Sequence, residues 1–499
     1  MSNYLVLLVI LPLLGAFLMQ PLSQLLGSKQ AGRKILQNFG RAVIAVTLTI
    51  TYIVATEGEG VLQLPLSLLM GGFVVPVGIN LYLDQFSLLW LVAIQVSLLI
   101  LWPASRDIRQ HLLLLVVAAS SMGMALSGDL FNIYVFYELL AVATFGLVAQ
   151  APHPAAAVVS FRYLLLSAFG SVLALAGIAI IYSQSGSLNL AHLSAFVVNG
   201  ETQFPLAAFL LLLVGFGVKA ELFGVNGWVP EVYGVVSSRM SALLAGVISK
   251  IAVVVIVRIM LLLFPYPEAS QALLVLGILG MVGGEWVAWH TAQRGGKLST
   301  TLAYSSIGQL GMIFVAFSFS LTLGLFVGVA LALHHLIVKS GLFMLSSAQL
   351  NRWQLGLFVL FGLSLIGVPP LPGFWIKLAM LQDLWATGGG LEQLAIALFL
   401  LATVVEASYL SKIISTQMVS PQFKSAKLGG NSEERRNLNL AWLYGILLFG
   451  AIFFINPLAE TLHGIAVQTE DGELLRSVVL ENSIDPLAGG EQYYERVSI

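Results

Sequence analysis

Long apolar runs separated by short polar breaks recur along the whole chain, and their length sets the first expectation. At the ~20 residues a helix needs to cross a hydrocarbon core, they predict about fourteen membrane spans. These cover 5–19, 42–54, 81–101, 112–125, 130–149, 157–181, 206–223, 240–263, 272–289, 301–319, 321–347, 355–380, 394–413 and 439–455. The pattern predicts an all-α polytopic membrane protein. The first run starts at once, with no basic leader and no small-residue cleavage motif after it, so it is expected to stay as the first membrane helix.

Composition agrees: 58% of the 499 residues are hydrophobic and 9% are charged, whereas a soluble domain carries about 25% charged residues. So few polar side chains do not cover a water-facing surface of this size. Cysteine is absent, which excludes disulfides, thiolate metal sites and iron–sulfur ligation by this chain. No cofactor and no metal set is expected.

The remaining charges fall into two groups of loops. Lys29, Arg33, Lys34, Arg41, Arg106, Arg109, Arg294, Lys297, Arg352, Lys412, Lys424, Lys427, Arg435 and Arg436 follow odd-numbered spans. Acids such as Glu57, Glu59, Asp129, Glu201, Glu268, Asp383 and Glu392 occupy the other loops, and the tail beyond residue 457 is acidic. Because basic loops stay cytoplasmic, the expected location is the cell (inner or plasma) membrane with both termini on the outer side.

A few charges lie inside the spans, where each costs ~2.5–3.5 kcal/mol on insertion scales. They are Glu138 in the fifth span, Lys219 in the seventh, Lys250 in the eighth, His334, His335 and Lys339 in the eleventh, and Lys377 in the twelfth. Glu285, His290 and Glu406 join them as further candidates. Burial and neighbouring charge pull on such groups in opposite senses, leaving them poised to take or release a proton. Joined by water, they form a proton relay. The plainer role is a static ion pair between helices, which stabilises only weakly.

Two segments repeat one pattern. Gly215-Phe216-Gly217-Val218-Lys219 and Gly373-Phe374-Trp375-Ile376-Lys377 both read Gly-Phe-x-x-Lys, with Pro230 after the first and Pro369, Pro370 and Pro372 before the second. Proline disrupts a helix interior, so both spans are expected to be broken. Broken helices at matching places in two halves point to the transport site of an inverted-repeat carrier.

These residues resemble a known family. Asp129-Leu130-Phe131-Asn132 with Phe136-Tyr137-Glu138-Leu139-Leu140 is similar to the fifth-helix signature of the antiporter-like subunits shared by respiratory complex I and Mrp-type cation/proton antiporters. Gly215–Ala220 followed by Trp228-Val229-Pro230-Glu231 resembles their broken seventh helix, and Ser241–Gly246 leading to Lys250 their eighth. Leu302–Gly311 resembles the tenth, His335 with Lys339 the eleventh, and Pro369–Phe374 with Lys377 the twelfth.

The resemblance runs in order along nearly the whole chain. It implies helices 1–3 over 1–110, two inverted five-helix repeats over 111–265 and 270–414, a last helix over 438–457 and an acidic outer tail over 458–499. It also implies that Glu138, Lys219, Lys250 and Lys377 form the proton relay, supported by His334, His335, Lys339, Glu285 and Glu406. Lysine at 377, with the approach from Gly71 to Asp84, is most similar to the D-type protein of Mrp antiporters. The chain departs from the family at Glu221, Asn226, Tyr233, Arg239 and Ser299-Thr300, and the resemblance gathers most of these changes near the cytoplasmic mouth of the first half-channel.

The function implied is Mrp-type Na+/H+ antiport within a multisubunit complex. One alternative is a proton-pumping subunit of a complex I-like quinone oxidoreductase or membrane-bound hydrogenase; another is a transport-inactive scaffold. The chain itself has no Gly-x-Gly-x-x-Gly dinucleotide loop and no redox site. Expected partners are other membrane subunits, the lipid bilayer, protons and Na+, with no nucleic acid.

Overall fold

In a computed structural model, helices account for most of residues 2–26, 30–56, 60–103, 105, 107–319, 321–346, 350–419, 432–470 and 472–481, which are the residues the structure describes. The first half contains α1 (Leu5–Leu26), α2 (Gln30–Thr56), α3 (Gln85–Leu101), α4 (Ile108–Leu126), α5 (Leu130–Ala149), α6 (Ala156–Ser185), α7 (Leu190–Val198), α8 (Leu206–Gly217), α9 (Trp228–Tyr233), α10 (Ser238–Leu243) and α11 (Ser249–Leu263). The second contains α12 (Pro267–Gln293), α13 (Leu298–Phe317), α14 (Leu321–Leu345), α15 (Arg352–Ile366), α16 (Pro372–Thr387), α17 (Gly390–Val419), α18 (Ser432–Gly450), α19 (Ile455–Thr469) and α20 (Glu473–Glu481). Among the described residues ten helices are long and apolar enough to cross a membrane, and α18 with α19 makes an eleventh if the 87° bend between them lies within one span. Three shorter apolar helices, α3, α8 and α15, lie where further spans are expected.

The structure revises several edges. The run expected as one span over 81–101 divides at Asp84: Leu81 and Tyr82 belong to β2 (Asn80–Leu83), paired antiparallel with β1 (Leu66–Leu69). An apolar run alone does not separate a buried strand from a helix. Asp84 then caps α3 by accepting from the Ser87 amide at 2.7 Å, as an N-cap carboxylate does. The helical membrane fold therefore carries one small hairpin that the apolar pattern missed. The last expected span, 439–455, ends its helix at Gly450. The first part of the expected acidic tail forms α19 and α20; Glu57, Glu59, Lys29, Arg106, Lys424, Lys427 and the chain beyond residue 481 lie outside the described residues.

Burial is uneven. The most apolar window of α10–α11 is 94% buried and that of α13 is 89%, against 33% for α17. Phe161, Leu165, Phe169 and Val172 on α6 and Leu400, Leu401 and Val404 on α17 are exposed, as apolar side chains facing lipid are. The molecule's axis thus runs through α11, α13 and α14. Glycine draws α12 against α13: a methyl at Gly311 would overlap the Met281 backbone nitrogen, and one at Gly284 the Gly308 nitrogen. Small residues permit this close approach between membrane helices, and it presses Glu285 of α12 onto α13.

Candidate functional site

Both expected breaks are present, and each holds its lysine differently. α8 ends at Gly217, and the chain runs irregularly over 218–227 before α9. The break frees backbone acceptors: Tyr137 donates to the Gly215 carbonyl at 2.8 Å and the Trp228 indole to the Val218 carbonyl at 2.8 Å. Lys219, fully buried, donates to the Tyr163 hydroxyl at 3.0 Å. Its ammonium lies 4.9 Å and 5.4 Å from the Tyr163 and Tyr137 ring centres, within range of a cation–π attraction. Glu138 makes no direct ion pair with Lys219, and its Oε1 is buried without a hydrogen bond. The side chains that Lys219 meets directly are thus Tyr163 and Tyr137.

In the second break, α15 stops at Gly367, whose φ of 92° suits glycine, and α16 restarts at Pro372. Lys377 caps the freed end of α15, donating to the Leu365 carbonyl at 2.6 Å and the Ile366 carbonyl at 3.4 Å. Negative helix C-termini favour a cation in this position. Glu406 completes the site 3.3 Å away and accepts from Gln309 at 2.8 Å.

Between the two breaks lie three neighbouring sets of buried polar contacts. A wide π turn over Leu244–Ile248 precedes Lys250, a distortion frequent at functional sites. The Ala245 carbonyl accepts from Lys250 at 2.5 Å and from Ser249 at 2.9 Å. Lys250 also meets His335 Nδ1 at 2.5 Å, and His335 Nε2 meets Ser306 at 3.3 Å. If Lys250 is the donor to Nδ1, the imidazole proton sits on Nε2. One turn along α14, Lys339 donates to Ser305 at 2.6 Å; Tyr409 lies 2.7 Å from the same hydroxyl and donates to Glu285 at 2.9 Å. Lys250, His335, Lys339, Glu285 and Glu406 are all at most 1% exposed.

Seven of the nine expected site residues thus stand in or beside this buried row, while Lys219 lies in the first break and Glu138 on α5. His334 turns to Ser364 of α15 at 2.8 Å, beside the second break. His290, near the end of α12, makes an edge contact with its neighbour Trp289. Two buried charges outside the expected site residues bear on the arrangement. Arg258 lies within the eighth span and pairs with Asp84 through both carboxylate oxygens at 2.8 and 2.9 Å, a static link between α11 and α3. Glu221, noted as a departure, is 1% exposed in the first break. Tyr163 and Tyr409 give no sequence signal that separates them from other tyrosines in apolar spans.

A family model described as NADH:quinone oxidoreductase/Mrp antiporter, TM, matches residues 127–405, a stretch that holds Glu138, Lys219, Lys250, Glu285, His335, Lys339 and Lys377 and ends one residue before Glu406. The chain is 26% identical to the D-type protein of the Na(+)/H(+) antiporter of Bacillus subtilis, over 100% of this chain and 99% of that one. It is 28% identical to the N-type protein of the NADH-quinone oxidoreductase of Desulforudis audaxviator, over 61% of this chain and 64% of that protein's length. Among solved structures, a chain of the membrane-bound sulfane sulfur reductase, an archaeal respiratory membrane complex, superposes with a TM-score of 0.83 at 25% identity, covering 95% of this chain and 99% of that one.

Proposed function

The chain belongs to the NADH:quinone oxidoreductase/Mrp antiporter family of membrane subunits, and on that premise we propose that it is the proton-translocating subunit of a multisubunit Mrp-type Na+/H+ antiporter. One observation carries the reading: buried ionisable side chains follow one another from Lys250 through His335 and Lys339 to Glu285, Glu406 and Lys377, within the most enclosed helices. Such groups are too costly at this depth to persist as filler, which also weighs against an inert scaffold. Protons enter the row from Glu138 and Lys219, with water carrying them between groups not in direct contact. A redox-driven pump is the second reading, favoured by the quinone oxidoreductase relative and the sulfane sulfur reductase fold.

The two broken helices support reading 111–265 and 270–414 as paired repeats, and the short apolar helices with the bent pair support fourteen crossings. Glu138 shares a face of α5 with exposed Phe131, Val135 and Val142. A carboxylate on such a face is better matched by a neighbouring subunit than by lipid. Lys34, Arg41, Arg239 and Arg436 line one crevice of about 480 Å³ near the starts of α2, α10 and α18. Their convergence supports a cytoplasmic basic end. A thiol-free chain makes this easy to check: in intact cells Lys297→Cys is expected to resist an impermeant thiol reagent and Glu460→Cys to react. The reverse labelling would invert the orientation.

Inverted vesicles carrying the chain with its partner subunits test the function. With a pH-sensitive dye and an imposed proton gradient, a Na+ pulse is expected to collapse the gradient without any electron donor. A response only to reductant would favour the redox pump, and no response to either would refute both.

A further inference from the structure

Three departures from the family pattern, far apart in chemistry, meet at one point in the fold. Tyr233 donates to Glu221 Oε1 at 2.7 Å, and the Asn226 amide donates to the Glu221 carbonyl at 3.4 Å. Arg239, grouped with them by sequence, instead reaches Asn437 at 2.8 Å and the Trp102 carbonyl at 3.1 Å, in the basic crevice. Glu221, Asn226 and Tyr233 therefore form a unit of their own.

Its placement is unusual. Glu221 has a φ of 58°, the one non-glycine residue with positive φ among the described residues. A non-glycine residue held there is strained, and such strain clusters at functional sites. The turn carries the carboxyl inward instead of leaving it at the break's surface. Its Oε2 is buried and closes no hydrogen bond, with the Ser306 hydroxyl facing the carboxyl. Ser306 is also the group that meets His335, and through it Lys250. On its other side, Tyr233 and Tyr163 flank Trp228, at ring separations of 6.1 and 4.4 Å, and Tyr163 holds Lys219.

We propose that Glu221 is an additional proton-binding site at the join of the two halves, receiving a proton from the Lys219 side and passing it through Ser306 and His335 to Lys250. The proton count closes. Lys219 leaves as the neutral amine, Glu221 changes from carboxylate to carboxylic acid, and on release a neutral Lys250 becomes ammonium. The changes at Asn226 and Tyr233 are then the supports of a rerouted entry: Asn226 holds the turn, and Tyr233 orients the carboxyl. The inference rests on the transport reading above and adds a residue to it.

Glu221→Gln is the direct test, because the amide oxygen still accepts from Tyr233 and only the titrating group is lost. With the wild-type exchange established in the same vesicles, this variant is expected to assemble and melt normally yet lose at least tenfold of its transport. Tyr233→Phe is expected to lose several-fold. Wild-type rates in the Gln variant would overturn the site while leaving the transport reading intact; absent exchange in the wild type would instead strike that reading. The wild-type protein gives a check that does not depend on the variant folding. Dicyclohexylcarbodiimide, which adds to protonated carboxyls in apolar surroundings, is expected to modify the Glu221 peptide, seen by mass spectrometry, faster as pH falls. A Glu221 left unmodified while Glu285 or Glu406 reacts would count against the proposal.

Discussion

The two broken helices present a lysine in the same sequence pattern and hold it in opposite ways. In the second half Lys377 is fixed by two carbonyls at the end of α15 and by Glu406, a charged partner with its own support from Gln309. In the first half Lys219 rests on a phenol and two aromatic faces, with no carboxylate bonded to it. The candidate counter-charges, Glu138 and Glu221, each keep one buried oxygen without a hydrogen bond. A saturated site resists change; an unsaturated one leaves charge free to move. Of the two lysines Lys377 is therefore the more tightly held, although Glu285 in the second half also keeps a buried oxygen without a hydrogen bond.

That contrast predicts a ranked set of effects. Glu406→Ala strands the buried Lys377 ammonium, and breaking a buried pair by removing one partner costs about 3–5 kcal/mol. Its melting temperature in detergent is expected to fall well below wild type, and an unchanged value would mean that the second half is no more tightly held than the first. Tyr163→Phe takes away the hydroxyl that accepts from Lys219, an effect of about 1–3 kcal/mol, with transport reduced several-fold. Glu138→Gln is expected to change stability least of all, since no hydrogen bond to Oε1 is lost.

Much of this was legible in the sequence because the bilayer makes it so. Helix length is set by the hydrocarbon thickness, and a charge within an apolar run stands out against its surroundings. Hence Lys250, Lys339, Glu285, Glu406 and Lys377 were identified and fall in or beside one row. What the sequence hid was partnership. Nothing along the chain says that Lys250 meets His335, 85 positions away, or that Tyr409 bridges Ser305 and Glu285. Glu221 was visible as a charge, but set beside a family pattern it counted as a defect; only the positive φ and the Tyr233 bond give it a direction. The hairpin was missed because Leu81 and Tyr82 read as the start of the apolar run that resumes after the short polar break at Asp84 and Gln85.

The central claim is that protons move along these titrating side chains, and Glu138→Gln tests it most directly. The substitution keeps the shape, removes the charge and breaks no hydrogen bond at Oε1. In inverted vesicles containing the chain and its partner subunits, with dye-reported Na+-dependent proton exchange, the account predicts a normally assembled protein with transport reduced at least tenfold. Exchange at the wild-type rate would contradict it.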